Sequence, residues 1–181
     1  MKTLVIHAED SSTDFLCPIY QTIEDKTVLR KGVSKNEISE QIKIHDRVLM
    51  LGHGSPEGLF SVGQFKTNNS LIIDSSVVNL LAEKEENIYI WCHANKFVER
   101  HNLKGFYTGM FVSEFLEVVY CELPLVEEDV INESNDGFSS IVSKYVNDSK
   151  SVLYKNTLEE YQIIANRNLV AAYNIDRLYY Q

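Results

Sequence analysis

Apolar residues along the chain alternate between short unbroken runs and longer stretches at helical spacing, the pattern of strands interleaved with helices. Leu4-Val5-Ile6 is the first run and ends at Glu9-Asp10. Ser11-Ser12-Thr13-Asp14 then offers several capping side chains before Phe15-Leu16, which predicts a strand followed by a helix. Thr27-Val28-Leu29 predicts a second strand, and Ser34-Lys35-Asn36-Glu37 reads as a capping box opening a helix with Ile38 and Ile42 on one face. Arg47-Val48-Leu49-Met50-Leu51 is apolar on both faces, as a central strand covered by helices on each side requires.

The same reading continues through the second half. Gly58 to Gly63 suggests a small hairpin arm and Leu71-Ile72-Ile73 a short strand. Asp74-Ser75-Ser76 caps a helix whose Val77, Val78, Leu80 and Leu81 point one way, closed by a solvated Glu83-Lys84-Glu85-Glu86 end. Ile88-Tyr89-Ile90-Trp91 supplies the next buried strand, and a right-handed crossover sets it parallel and adjacent to the strand over 47–51. Thr108 to Glu122 carries Met110, Phe111, Phe115, Val118 and Val119 at helical spacing and stops before Pro124. Glu127-Glu128-Asp129 suits a helix amino end, with Ile131, Phe138, Ile141, Val142, Tyr145 and Val146 on one stripe. Thr157-Leu158-Glu159-Glu160 predicts a further capping box and helix, and Leu169 to Tyr180 a terminal strand with surface tyrosines. The architecture expected is α/β: a three-layer αβα sandwich with a mostly parallel central sheet, in a single domain over 1–181.

Size and charge narrow the function. At 181 residues and 44% hydrophobic the chain suits one domain with a substantial core. A net charge of -9, with no Lys/Arg-rich stretch, gives neither nucleic acid nor an anionic membrane an electrostatic footing. No apolar run reaches the roughly 20 residues that span a bilayer, and Met1 leads straight into the first strand without the apolar region of a secretion signal. Cys17, Cys92 and Cys121 are odd in number and widely spaced, which argues against a disulfide framework and for a reducing, cytoplasmic setting.

Candidate chemistry sits at two strand exits. Gly52-His53-Gly54 follows the strand over 47–51, and Cys92 follows Ile88-Tyr89-Ile90-Trp91. Ligands bind at the carboxyl edge of parallel strands, so neighbouring strands would bring a thiol and an imidazole together. The plainer readings are a hydrogen-bonded histidine in a glycine turn and a small buried cysteine. An ion pair with His53 would lower the Cys92 pKa and make it a nucleophile for acyl transfer. Cys92, His93, His101 and His53 lack the paired spacing of a zinc site, so no metal is expected. Glu9-Asp10 is reminiscent of a phosphoacceptor receiver, but Gly52-His53 stands where the acceptor Asp belongs.

Over roughly Thr3 to Leu123 the chain resembles the caspase-like cysteine peptidases, the group of caspases, legumains, gingipains and separases. In that group a hydrophobic strand ends in His-Gly and the next core strand ends in the nucleophilic Cys, in the order found here. The resemblance implies a caspase-like fold, with Cys92 attacking a peptide carbonyl and His53 handling the proton. It also implies that the amides of Gly54 and Cys92 bind the oxyanion, with a peptide or protein as substrate and no cofactor. The caspase signature Gln-Ala-Cys-x-Gly is absent: Trp91 precedes the cysteine, where its indole would narrow the acyl pocket, and His93-Ala94 follow. Glu9, Asp10 and Glu57 are the candidates for binding a basic substrate side chain. The alternative is a non-enzymatic interaction or regulatory module on the same fold.

Overall fold

Parallel pairing organises the molecule. The computed structural model describes residues 1–67 and 70–181. Its strands are β1 (Thr3–His7), β2 (Lys26–Leu29), β3 (Arg47–Leu51), β4 (Gly54–Ser55), β5 (Gly58–Phe60), β6 (Leu71–Ile73), β7 (Asn87–Ile90), β8 (Gly105–Thr108) and β9 (Leu178–Tyr180). The main sheet has six strands in the order β2-β1-β3-β7-β8-β9. All neighbours run parallel except β9, which returns antiparallel along β8. The fold is therefore α/β with a mixed, mostly parallel sheet, and β4-β5-β6 form a small antiparallel sheet beside it.

Helices α1 (Pro18–Gln21), α2 (Lys35–Lys43), α3 (Val78–Ala82), α4 (Ala94–Arg100), α5 (Phe115–Tyr120), α6 (Glu128–Tyr145), α7 (Lys150–Ala165) and α8 (Leu169–Ile175) pack on this sheet. Because strand side chains alternate between faces, neighbouring residues enter different cores. Val5, Leu49, Leu51, Ile88 and Ile90 join Phe138, Leu153 and Tyr161 of α6 and α7. Leu4, Ile6, Val48, Met50 and Tyr89 join Ile38, Ile42, Leu81 and Phe97 of α2, α3 and α4. Both faces of β1, β3 and β7 are thus dry, which explains their unbroken apolar runs.

Polar side chains fix the register where apolar packing would allow slippage. Asn87 Oδ1 accepts from the Val48 amide at 2.9 Å, and its Nδ2 donates to Leu81 O and Tyr89 Oη, each at 3.0 Å. This sets Leu49 opposite Ile88 and Leu51 opposite Ile90. Arg47 is buried at the start of β3 and donates to Thr3 Oγ1, Val146 O and Asn147 Oδ1, tying the strand to the end of α6.

Three stretches depart from the pattern-based expectation. Gly105–Thr108 is strand β8, and the helix expected over 108–122 is confined to α5. Phe111 instead lies in the connecting loop, with its ring on Phe138 at 4.7 Å between centroids. Thr157 opens no helix; it is buried in the middle of α7, which Ser149 precedes. The segment 169–180 forms helix α8 before the short strand β9. The capping box at Ser34 and Glu37 and the burial of Ile38 and Ile42 are as expected. Among the described residues, no helix is long and apolar enough to cross a membrane.

Candidate functional site

Adjacent parallel strands carry the histidine and the cysteine to one edge. The register that pairs Leu51 with Ile90 continues through the Gly52 amide, which donates to Ile90 O at 3.0 Å. His53 and Cys92 each lie two residues beyond that pair, just past the ends of β3 and β7. Both line an open groove of about 440 Å³, together with Gly54, Phe60, Val62, His93, Met110, Glu117 and Tyr120.

The small sheet β4-β5-β6 forms one side of this site and depends on close backbone packing. A Cβ on Gly58 would lie 1.9 Å from Ile73 O, and its φ of +145° is one that side-chain-bearing residues rarely adopt. Trp91 holds the arm from beneath, with its Nε1 donating to Ser55 O at 3.0 Å. The indole is only 1% exposed and packs on Tyr89 and Phe97; it does not line the groove, but it borders the small crevice beside His53 and Cys92.

Cys92 sits on a tight turn. His93 takes the left-handed conformation with φ 67°, a strained geometry for a side-chain-bearing residue. The turn is stapled to the end of β8: His93 N donates to Gly109 O at 3.0 Å and Thr108 Oγ1 to Trp91 O at 3.0 Å. Among the described residues, the Cys92 amide makes no hydrogen bond, which leaves its N–H open. The thiol itself has two acceptors, Glu117 Oε1 at 3.3 Å and Phe111 O at 3.4 Å. Burial first, and then the neighbouring Glu117 carboxylate, push the thiol pKa well above its ordinary value. In this geometry the sulfur is protonated.

His53 is held by a relay from the loop after β1. Its Nε2 lies 2.7 Å from Ser12 Oγ, and that hydroxyl donates to Asp10 Oδ1 at 2.8 Å. The hydroxyl has one proton, so Ser12 accepts from Nε2–H, and Nδ1 is the nitrogen free to take a proton. Asp10 Oδ2 and Glu114 Oε1 stand 3.8 and 3.6 Å from Nε2. Burial opposes ionisation of Asp10, yet the Ser12 amide and hydroxyl and the charge of His53 hold its carboxyl below the usual value.

Of the other sequence candidates, Gly54 lines the groove and Asp10 reaches His53 through Ser12. Glu9 is instead paired with Lys31 at 2.6 Å and Glu57 with Arg100 at 2.8 Å, and neither lines the groove. The sequence shows Ser12 only as one of several capping side chains, and gives Glu114 and Glu117 no role at the site. The one available signal was the spacing of Glu114 and Glu117, which form a capping box at the start of α5. Glu117 Oε2 accepts from the amides of Ser113 and Glu114, at 2.6 and 3.1 Å, while Oε1 meets the thiol.

Fold and site together define an α/β protein with a thiol and an imidazole on one groove at the carboxyl edge of its parallel sheet. Compared with known proteins, the chain matches no family model and no curated protein.

Proposed function

We propose that the chain is a caspase-like cysteine peptidase, with Cys92 as nucleophile and His53 as general base and acid. The observation that carries this reading is that both side chains line one open groove, just past the ends of adjacent parallel strands. The chain order of His-Gly and Cys after consecutive core strands, the resemblance drawn from the sequence, supports it further.

In the proposed reaction the peptide carbonyl enters the groove and the thiol turns from Glu117 toward His53. Nδ1 takes the thiol proton as sulfur attacks the carbonyl carbon. The negative oxygen is met by the open Cys92 N–H, with Gly54 N–H as the second donor. Collapse expels the amine, which leaves with the proton from the imidazolium. Water, deprotonated by His53, then splits the thioester, releasing the acid and restoring the thiol. Ser12 and Asp10 keep Nε2 protonated throughout, so that Nδ1 does the proton transfer.

One observation favours a second reading, a binding module without turnover: the thiol is given to Glu117 and is protonated. Digestion of a peptide library, with the new termini mapped by mass spectrometry, separates the two. A peptidase yields cleavages that vanish in Cys92→Ala; a module yields none in either protein.

A further inference from the structure

Apolar side chains from separate parts of the chain meet on the groove that holds His53 and Cys92. Phe60 and Val62 come from the β4-β5-β6 arm, Met110 from the loop after β8 and Tyr120 from the end of α5. The arm is tied to the backbone of the histidine itself, since the Phe60 amide donates to His53 O at 2.8 Å.

Charge on the same lining is engaged elsewhere. No lysine or arginine lines the groove, and among the described residues Glu117 is its one carboxylate. Glu117 Oε2 accepts from Ser113 N, Ser113 Oγ and Glu114 N, at 2.6, 3.0 and 3.1 Å, and Oε1 faces the thiol. His93 lines the groove as well; burial first, and then Lys96, lower its pKa, so it brings no charge at neutral pH. A basic substrate side chain finds no carboxylate without partners here. An acidic one meets the charge of Glu117 with no lysine or arginine to offset it.

Val62 stands in a strained turn. Gln64 N closes the turn by donating to Ser61 O at 2.9 Å, and Val62 has φ 40°, followed by Gly63 at 74°. Two successive positive φ values suit Asn or Gly at the first position, and a β-branched residue there is strained. Val62 is 37% exposed, so core burial does not offset that strain. What the position achieves is an isopropyl group on the groove lining. Tyr120, 72% exposed, likewise gives its surface to the groove rather than to the core.

We propose that the groove receives a large apolar side chain, Leu or Phe, of the substrate residue whose carbonyl Cys92 attacks, with Phe60, Val62, Met110 and Tyr120 as its walls. That side chain is the one nearest the attacked carbon, joined to it through Cα, and a groove of about 440 Å³ holds it together with the flanking backbone. Removing it from water favours Leu over a polar side chain of like shape. The proposal rests on the peptidase reading of the groove and names its substrate class.

Two measurements keep the proposal and that reading distinguishable. First, kcat/KM is compared for matched peptides that differ only in the residue before the scissile bond: Leu, Asn, Asp or Arg. Leu is expected to exceed its polar near-isostere Asn at least tenfold, which corresponds to about 1.4 kcal/mol, and to exceed both charged residues by more. Val62→Asn with Tyr120→Ser should bring the Leu-to-Asn ratio toward one, with a melting temperature at or above wild type because Asn suits the turn. Tyr120→Ser alone, at a position that leaves the core untouched, should move the ratio the same way and covers a turn that does not accept Asn. Second, the Leu and Asn peptides are titrated calorimetrically into Cys92→Ala protein, where Leu should bind at least tenfold more tightly. Turnover with Leu no better than Asn, or with Arg or Asp preferred, overturns the apolar pocket and leaves the peptidase standing. A Leu preference untouched by these substitutions also overturns the pocket. Leu-selective binding without turnover of any peptide keeps the apolar site and overturns the peptidase, and neither turnover nor selective binding overturns both.

Discussion

Replacing Glu117 by Gln removes the negative charge beside Cys92 while keeping the side chain's shape and an acceptor for the Ser113 and Glu114 amides. Two unit charges about 4 Å apart interact by about 4 kcal/mol at an effective dielectric of about 20, or about three pKa units at about 1.4 kcal/mol each. The groove is open to water, so roughly half of that survives screening and the thiolate fraction rises about thirtyfold. A less basic thiolate is also a weaker nucleophile, which lowers the expected gain in alkylation rate to about fivefold or more. The assay is iodoacetamide labelling at one fixed pH, with Cys17, Cys92 and Cys121 timed separately by peptide mapping. A Cys92 rate unchanged within about twofold refutes the account of the thiol. Equal acceleration at all three cysteines would refute it too, because it would report general loosening.

Ser12→Ala breaks the relay from Asp10 to His53 Nε2, and we expect about a tenfold loss of kcat with little change in KM, within the range general-base positioning supplies. Asp10 still caps its turn through the Ser12 amide, so the melting temperature should stay near wild type. His7 is buried between Tyr20 Oη and Thr13 Oγ1, and burial first, then Arg30, lowers its pKa from 6.5 to about 4. Between those values the unfolded chain binds more protons than the folded one, so stability falls with falling pH, by about 2 kcal/mol at about pH 5. Urea unfolding at the two ends of that window, in wild type and His7→Gln, should show the slope only with the histidine present. Gly58→Ala drives a methyl into Ile73 O at a positive φ and should cost about 2 kcal/mol or more; a melting temperature equal to wild type would contradict the arm's geometry.

Much of the fold was legible because several segments state their role locally. Ser34 and Glu37 cap α2 with their own side chains, and β3 and β7 are buried on both faces and so read as apolar runs. Strand β8 was not legible. Its four residues are all buried, so they show no alternation, and the apolar Met110 and Phe111 that follow extend the run into an apparent helix. In α7, Thr157 matches a capping pattern by residue type alone; its burial in mid-helix comes from tertiary packing that no local spacing encodes. The candidate site divides in the same way. His53 and Cys92 follow strand ends and can be found in the sequence, whereas Ser12, Glu114 and Glu117 reach them only once the loops after β1 and β8 fold over the sheet edge.

The central claim is that His53 and Cys92 act as one unit. Its most direct test is the rate at which a peptidyl acyloxymethyl ketone modifies Cys92 in wild type and in His53→Ala. The account predicts modification confined to Cys92 and slowed about a hundredfold or more without the imidazole. Equal rates in the two proteins, or labelling spread over Cys17 and Cys121, would contradict it.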